Sequence, residues 1–109
     1  RELVMATRIM LVCAAGMSTS LLVTKMEVAA KEAGEEVEIF ALPLTEGEKI
    51  IDTVDCVLLG PQVRYAKKEV EKIIADTGKD IPYDVIEMKD YGMMNGKAVY
   101  EFAKKLMGR

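Results

Sequence analysis

Residues 8–26 read RIMLVCAAGMSTSLLVTKM. Residues 9–13 are a short continuous apolar run, the pattern of a strand buried on both faces. Residues 14–17, AAGM, make a loop. Beyond them Leu22, Met26, Ala29, Ala30 and Ala33 recur at helical spacing, and Lys25, Lys31 and Glu32 fill the other side. Ser18, Thr19 or Ser20 can cap this helix, because a side-chain oxygen accepts from the free N–H groups of a first turn. Gly34 stops it, as a left-handed C-terminal residue does. One strand hands over to one helix, and Cys13 stands at the joint.

The same alternation fills the rest of the chain. Residues 36–42 alternate charged and apolar side chains, as a strand does, and Pro43 ends them. Residues 45–51 suggest a short helix, with Thr45 and Glu48 in capping-box spacing. Residues 55–59, DCVLL, form another buried strand closed by Gly60 and Pro61. Residues 62–77 read as an amphipathic helix with Val63, Ala66, Val70, Ile73 and Ile74 inward. Arg64, Lys67, Lys68, Glu71 and Lys72 give it a solvated face, and Gly78 ends it. A fourth strand spans residues 82–87, a loop occupies 88–94, and Asn95 caps a last helix carrying Ala98, Val99, Phe102, Ala103 and Leu106.

Four strand–helix units in succession imply an α/β fold, a four-stranded parallel sheet with helices on both faces. Ligands of such sheets bind beyond the carboxyl ends of the strands, at the switch point where chain direction across the sheet reverses. No repeat, linker or low-complexity tract divides the chain, so a single domain over residues 5–109 is expected. Residues 1–4 precede Met5 and are set aside as a remnant of cloning.

Composition excludes several functions. The chain has 109 residues, is half hydrophobic and carries a net charge of −3. An acidic pI near 5.0 argues against a nucleic-acid partner. Aromatic residues make up only 6% and tryptophan is absent, so no base-stacking platform is expected. No run approaches the ~20 apolar residues of a membrane-spanning helix. Two cysteines without CxxC spacing and no histidine leave no disulfide framework, no Cys–His dyad and no zinc or other metal site. A reduced, cytoplasmic protein without cofactor fits best.

Cys13 then carries the chemistry. The loop and the first helical turn offer backbone N–H groups without acceptors, and the helix dipole adds roughly half a positive charge there. Phosphate commonly occupies such sites. Ala14, Ala15 and Gly16 are small enough to let the backbone wrap a ligand, Met17 completes the loop, and Ser18, Thr19 and Ser20 add hydroxyl donors. The same field favours a thiolate. A thiolate in a phosphate cradle suggests a cysteine that becomes phosphorylated; the alternative is a strand-end cysteine that only packs. Cys56, inside an apolar strand, reads as core.

Other signatures are missing. The loop lacks the lysine of a nucleotide P-loop, and GxGxxG is absent. A tyrosine phosphatase places an arginine six positions after its cysteine, where the guanidinium holds phosphate bidentately. Here Thr19 stands at that position, and no arginine occurs between Arg8 and Arg64. A cradle without arginine holds phosphate more lightly, which suits a carrier.

Residues 11–26, LVCAAGMSTSLLVTKM, closely resemble the active-site segment of enzyme IIB components of the bacterial sugar phosphotransferase system, lactose/cellobiose type. DCVLLGPQVRY (55–65) is similar to that family's third strand and the turn after it, and YGMMNG (91–96) is a looser match. The form GMSTS looks more like the cellobiose/chitobiose branch. The resemblance implies strand order 2-1-3-4 and a fold similar to low-molecular-weight tyrosine phosphatases. It implies that Cys13 accepts a phosphoryl group from a phosphohistidine of enzyme IIA. The group then passes to a β-linked disaccharide held by the membrane component, enzyme IIC. Residues 42–53 resemble the family least, and nothing is carried over to them.

Around the loop, Gln62, Tyr65 and Tyr91 are candidates to line the site, since they come after the third and fourth strands. Asp90 is a weaker candidate, in the manner of a phosphatase general acid. Met17, Met93 and Met94 are expected to form an adaptable apolar rim for two successive partners. The competing functions are a small cysteine phosphatase or arsenate-reductase-like enzyme, and a non-catalytic anion-sensing domain.

Overall fold

The computed structural model describes residues 6–13 and 17–109, with Met17 and Ser18 as backbone only. Its centre is a parallel sheet in the order β2-β1-β3-β4. The strands are β1 Thr7–Val12, β2 Val37–Leu42, β3 Cys56–Leu59 and β4 Tyr83–Val85. Ile9 pairs with Ile39 on one side and Cys56 on the other, and Leu11 lies between Ala41 and Leu58. β1 and β3 are thus interior strands. Their apolar runs are continuous because both faces are covered.

Strand alternation divides the core in two. Ile9, Leu11, Cys56 and Leu58 pack with Leu22, Met26 and Ala30 of helix α1 (Met17–Glu32) and with Val99, Tyr100 and Ala103 of α5 (Gly96–Leu106). Met10, Val12, Val57 and Leu59 face the other way, against Val70 and Ile74 of α3 (Lys67–Thr77) and residues of the turns beside it. Gly34 and Gly78 stand just past their helices at φ +72° and +76°, the left-handed stops expected of them. Asn95 caps α5, its side-chain oxygen accepting from the Ala98 amide at 3.1 Å.

Several local expectations are corrected. Helix α1 already includes Met17, so Ser18, Thr19 and Ser20 belong to its first turn instead of capping it. Ala33 is exposed, beyond the end of the buried face. Thr45 and Glu48 form no capping box. The carbonyl of Pro43 accepts from the Glu46 and Gly47 amides, so helix α2 runs from Leu44 to Gly47 without a side-chain cap. The 62–77 helix is broken: Pro61–Ala66 is a 3-10 turn with a non-helical Val63 (φ −119°, ψ 24°), and the regular helix begins at Lys67. The 88–94 segment contains a short helix, α4 (Met88–Gly92), which carries no side-chain cap.

The carboxyl ends of the strands are tied together by backbone bonds. The Cys13 amide donates to the Leu42 carbonyl (3.1 Å), Gly60 to Val12 (3.0 Å) and Ile86 to Leu59 (2.8 Å). The chain runs from β1 outward to β2, then crosses back to β3. The switch point therefore lies at the carboxyl end of β1, beside Cys13.

Candidate functional site

Cys13 is the first residue beyond β1 and is only 3% exposed. It borders a cleft of about 320 Å³, whose walls include Pro43, Leu44, Thr45, Glu48, Tyr65 and Glu69. Tyr65 is 80% exposed and stands at this cleft. Among the described residues, no lysine or arginine borders it. A phosphoryl group on Cys13 would meet no guanidinium there, unlike in a phosphatase.

Ala14, Ala15 and Gly16, expected to wrap phosphate, lie outside the described residues, as do the side chains of Met17 and Ser18. Helix α1, directly after that loop, is 16 residues long and has no acidic side chain in its first turn. The N–H groups of that first turn lack intrahelical acceptors, and no carboxylate within the turn itself offsets the helix dipole there. Ser20 is exposed on this turn, and its carbonyl accepts from Thr24 Oγ1 at 3.2 Å.

Thr19 is buried, 1% exposed, and its hydroxyl hydrogen-bonds that of Tyr91 at 3.1 Å. Gln62 Nε2 donates to the same Tyr91 oxygen at 2.8 Å. Three residues singled out in separate parts of the sequence thus meet at one phenol. Asp90 does not join them. It borders a different hollow, with Ile86, Val99 and Phe102. Met93 is 78% exposed, whereas Met94, at φ +52°, packs against the α1–α5 core and leaves the expected rim.

Cys56 is core, as its apolar strand suggests. Cys56 is fully buried, and burial together with the Asp55 charge pushes its thiol up to about 12. It is protonated and inert at neutral pH. Among the described residues, no group of acidic, cysteine or histidine side chains could hold a metal ion, and no helix is long and apolar enough to cross a membrane.

Thr45, Glu48 and Glu69 were not foreseen at the cleft. Residues 42–53 carry no motif, yet Pro43 comes directly after β2, and β2 lies beside β1. Strand order alone puts that turn next to Cys13.

Comparison with known proteins agrees with the fold. Residues 8–102 match the family model described as "PTS system, Lactose/Cellobiose specific IIB subunit". The chain is 48% identical over 104 residues to a galactose-specific EIIB component of Lactococcus lactis subsp. cremoris, covering 91% of this chain and 94% of that one. It is 47% identical, with the same coverage, to a cellobiose-specific EIIB component of L. lactis subsp. lactis. It is 46% identical to an oligo-beta-mannoside-specific EIIB component of Bacillus subtilis, over 92% and 95% of the two chains. The solution structure of a cellobiose-specific IIB component from Borrelia burgdorferi superposes with a TM-score of 0.77 at 41% identity, over 94% of this chain and 93% of that one. A lactose-specific IIB domain from Streptococcus pneumoniae shares the fold at a TM-score of 0.81 and only 16% identity, over 93% and 97%.

Proposed function

The chain belongs to the lactose/cellobiose-specific IIB subunits of the sugar phosphotransferase system, which are phosphotransferase components, and on that premise we propose that Cys13 is its phosphoryl carrier. The Cys13 thiolate attacks the phosphorus of a phosphohistidine on enzyme IIA. The S–P bond forms as the N–P bond breaks, and the leaving imidazole takes up a proton. In the second step a sugar hydroxyl on enzyme IIC attacks the same phosphorus. The hydroxyl loses its proton and Cys13 leaves as thiolate. Ala14, Ala15, Gly16, Met17 and Ser18 supply backbone donors to the phosphoryl oxygens, Thr19 and Ser20 belong to the same turn, and the work is done in the cytoplasm.

The observation that carries this reading is the place of Cys13. It is the first residue past β1, at the switch point, it opens on a cleft, and a 16-residue helix begins four positions later. That helix end favours the anion Cys13 would carry.

The sugar is of the cellobiose type, a β-linked disaccharide. Three relatives of nearly equal similarity are named for galactose, cellobiose and oligo-beta-mannosides. Such variation at nearly constant identity fits a carrier whose sugar is selected by its membrane partner.

Incubation with enzymatically phosphorylated IIA and then intact mass measurement tests the assignment. A phosphoryl adduct is expected in wild type and in Cys56→Ser, and none in Cys13→Ser. An adduct surviving in Cys13→Ser overturns it. Steady hydrolysis of p-nitrophenyl phosphate with no lasting adduct would make the protein a phosphatase.

A further inference from the structure

We propose that Tyr91 is a positioning residue of this site: by joining Thr19 and Gln62, its hydroxyl fixes the first turn of α1 where the free N–H groups meet the phosphoryl group. This rests on Cys13 being the acceptor. The three partners come from α1, from the turn after β3 and from α4, so one oxygen links three of the segments at the carboxyl end of the sheet. Thr19 is 72 residues from Tyr91 in sequence and almost wholly buried, so its hydroxyl cannot turn to solvent if the phenol is lost. Thr19 lies in the turn whose amides lack intrahelical acceptors, so whatever holds Thr19 also aims those amides.

The Tyr91 ring packs against the core formed with α1 and α5, which leaves the oxygen as the separable part. α4 has five residues and no side-chain cap, so it gains orientation from such tertiary contacts, not from its own hydrogen bonds. Phosphoryl transfer depends on near-attack geometry, where small misplacements cost large factors in rate. The bond network therefore acts on the transfer step more than on docking.

The test uses full-length protein and enzymatically phosphorylated IIA, with transfer measured by quenched intact mass and stability by denaturant titration. Tyr91→Phe is expected to lower kcat for transfer roughly tenfold, with the KM for IIA unchanged. Thr19→Val should also lower kcat, and Thr19→Ser should restore the rate. The Tyr91→Phe/Thr19→Val pair should be no slower than Tyr91→Phe alone, since loss of the phenol oxygen already removes the Thr19 bond. Wild-type kcat in Tyr91→Phe, or a Thr19→Ser variant no faster than Thr19→Val, overturns the proposal. So does a rate loss seen only in KM. Cys13→Ser run in parallel separates the two levels: an adduct there removes the carrier reading itself, whatever Tyr91 does.

Discussion

The side-chain amide of Gln62 folds back over Gly60 so closely that a Cβ at position 60 would lie 2.6 Å from Gln62 Oε1. The backbone of Gly60 (φ −63°, ψ 149°) suits any residue, so glycine is there for space. Gly60→Ala should therefore swing Gln62 away from Tyr91 without straining the chain. The expected outcome is a stability loss of about 1 kcal/mol or less and slower phosphoryl transfer from IIA. A transfer rate equal to wild type would mean that the Gln62–Tyr91 bond is dispensable.

Gly96 is a harder case. A Cβ there would stand 2.4 Å from the Lys25 carbonyl carbon and 2.6 Å from its oxygen. Backbone, not a flexible side chain, is in the way, so α1 and α5 must separate. Gly96→Ala is expected to destabilise by about 2 kcal/mol or more, read as a lowered urea midpoint. A wild-type midpoint would contradict this packing.

The buried thiol of Cys56 sets an alkaline limit. Its folded value lies near 12, above the ordinary 9.0. Below pH 9 it is protonated in both folded and unfolded chains, and this contribution is fully present. Above that the unfolded chain ionises first, so stability falls with rising pH, by about 1.4 kcal/mol per unit until the folded thiol titrates. Denaturant titrations from pH 8 to 11 should show a steeper decline for wild type than for Cys56→Ala. Parallel slopes would remove Cys56 as the cause.

An acid limit comes from the other end of the sheet. Glu35 accepts from Tyr100 Oη at 2.6 Å and from Lys104 Nζ at 2.9 Å, and these bonds hold its carboxyl below the usual 4.5. A depressed carboxylate stabilises the fold above its unfolded value and loses that contribution as pH falls through its folded one. Wild type is thus expected to lose more stability than Glu35→Gln as pH drops below 4.5. Equal losses would show that the network carries no net acid dependence.

The parts of this fold that repeat a local rule were legible in the sequence. The apolar runs at Ile9 and Cys56 mark interior strands, and the Asn95 cap marks a helix start, because neighbours in sequence carry those signals. Cys56 was legible as core for the same reason. α4 gives only a loop signal in sequence, since its five residues offer neither a period nor a cap. The capping-box spacing of Thr45 and Glu48 misled because Pro43 had already started the turn. Thr19, Gln62 and Tyr91 were each suspected, but their meeting depends on three elements docking, which no local pattern encodes. The cleft residues Glu48 and Glu69 became visible only through strand order.

Arg109 Nη1 donates to Thr7 Oγ1 at 2.6 Å, which ties the last residue of the chain to the first residue of β1. Cys13 lies just past the far end of that six-residue strand, about 20 Å away along the sheet. A tether joined after Arg109 would therefore leave from the end opposite the cysteine. A fused domain, a fluorophore or a surface linker placed there need not cross the Cys13 end of the sheet, so the site proposed there can be leashed without being blocked.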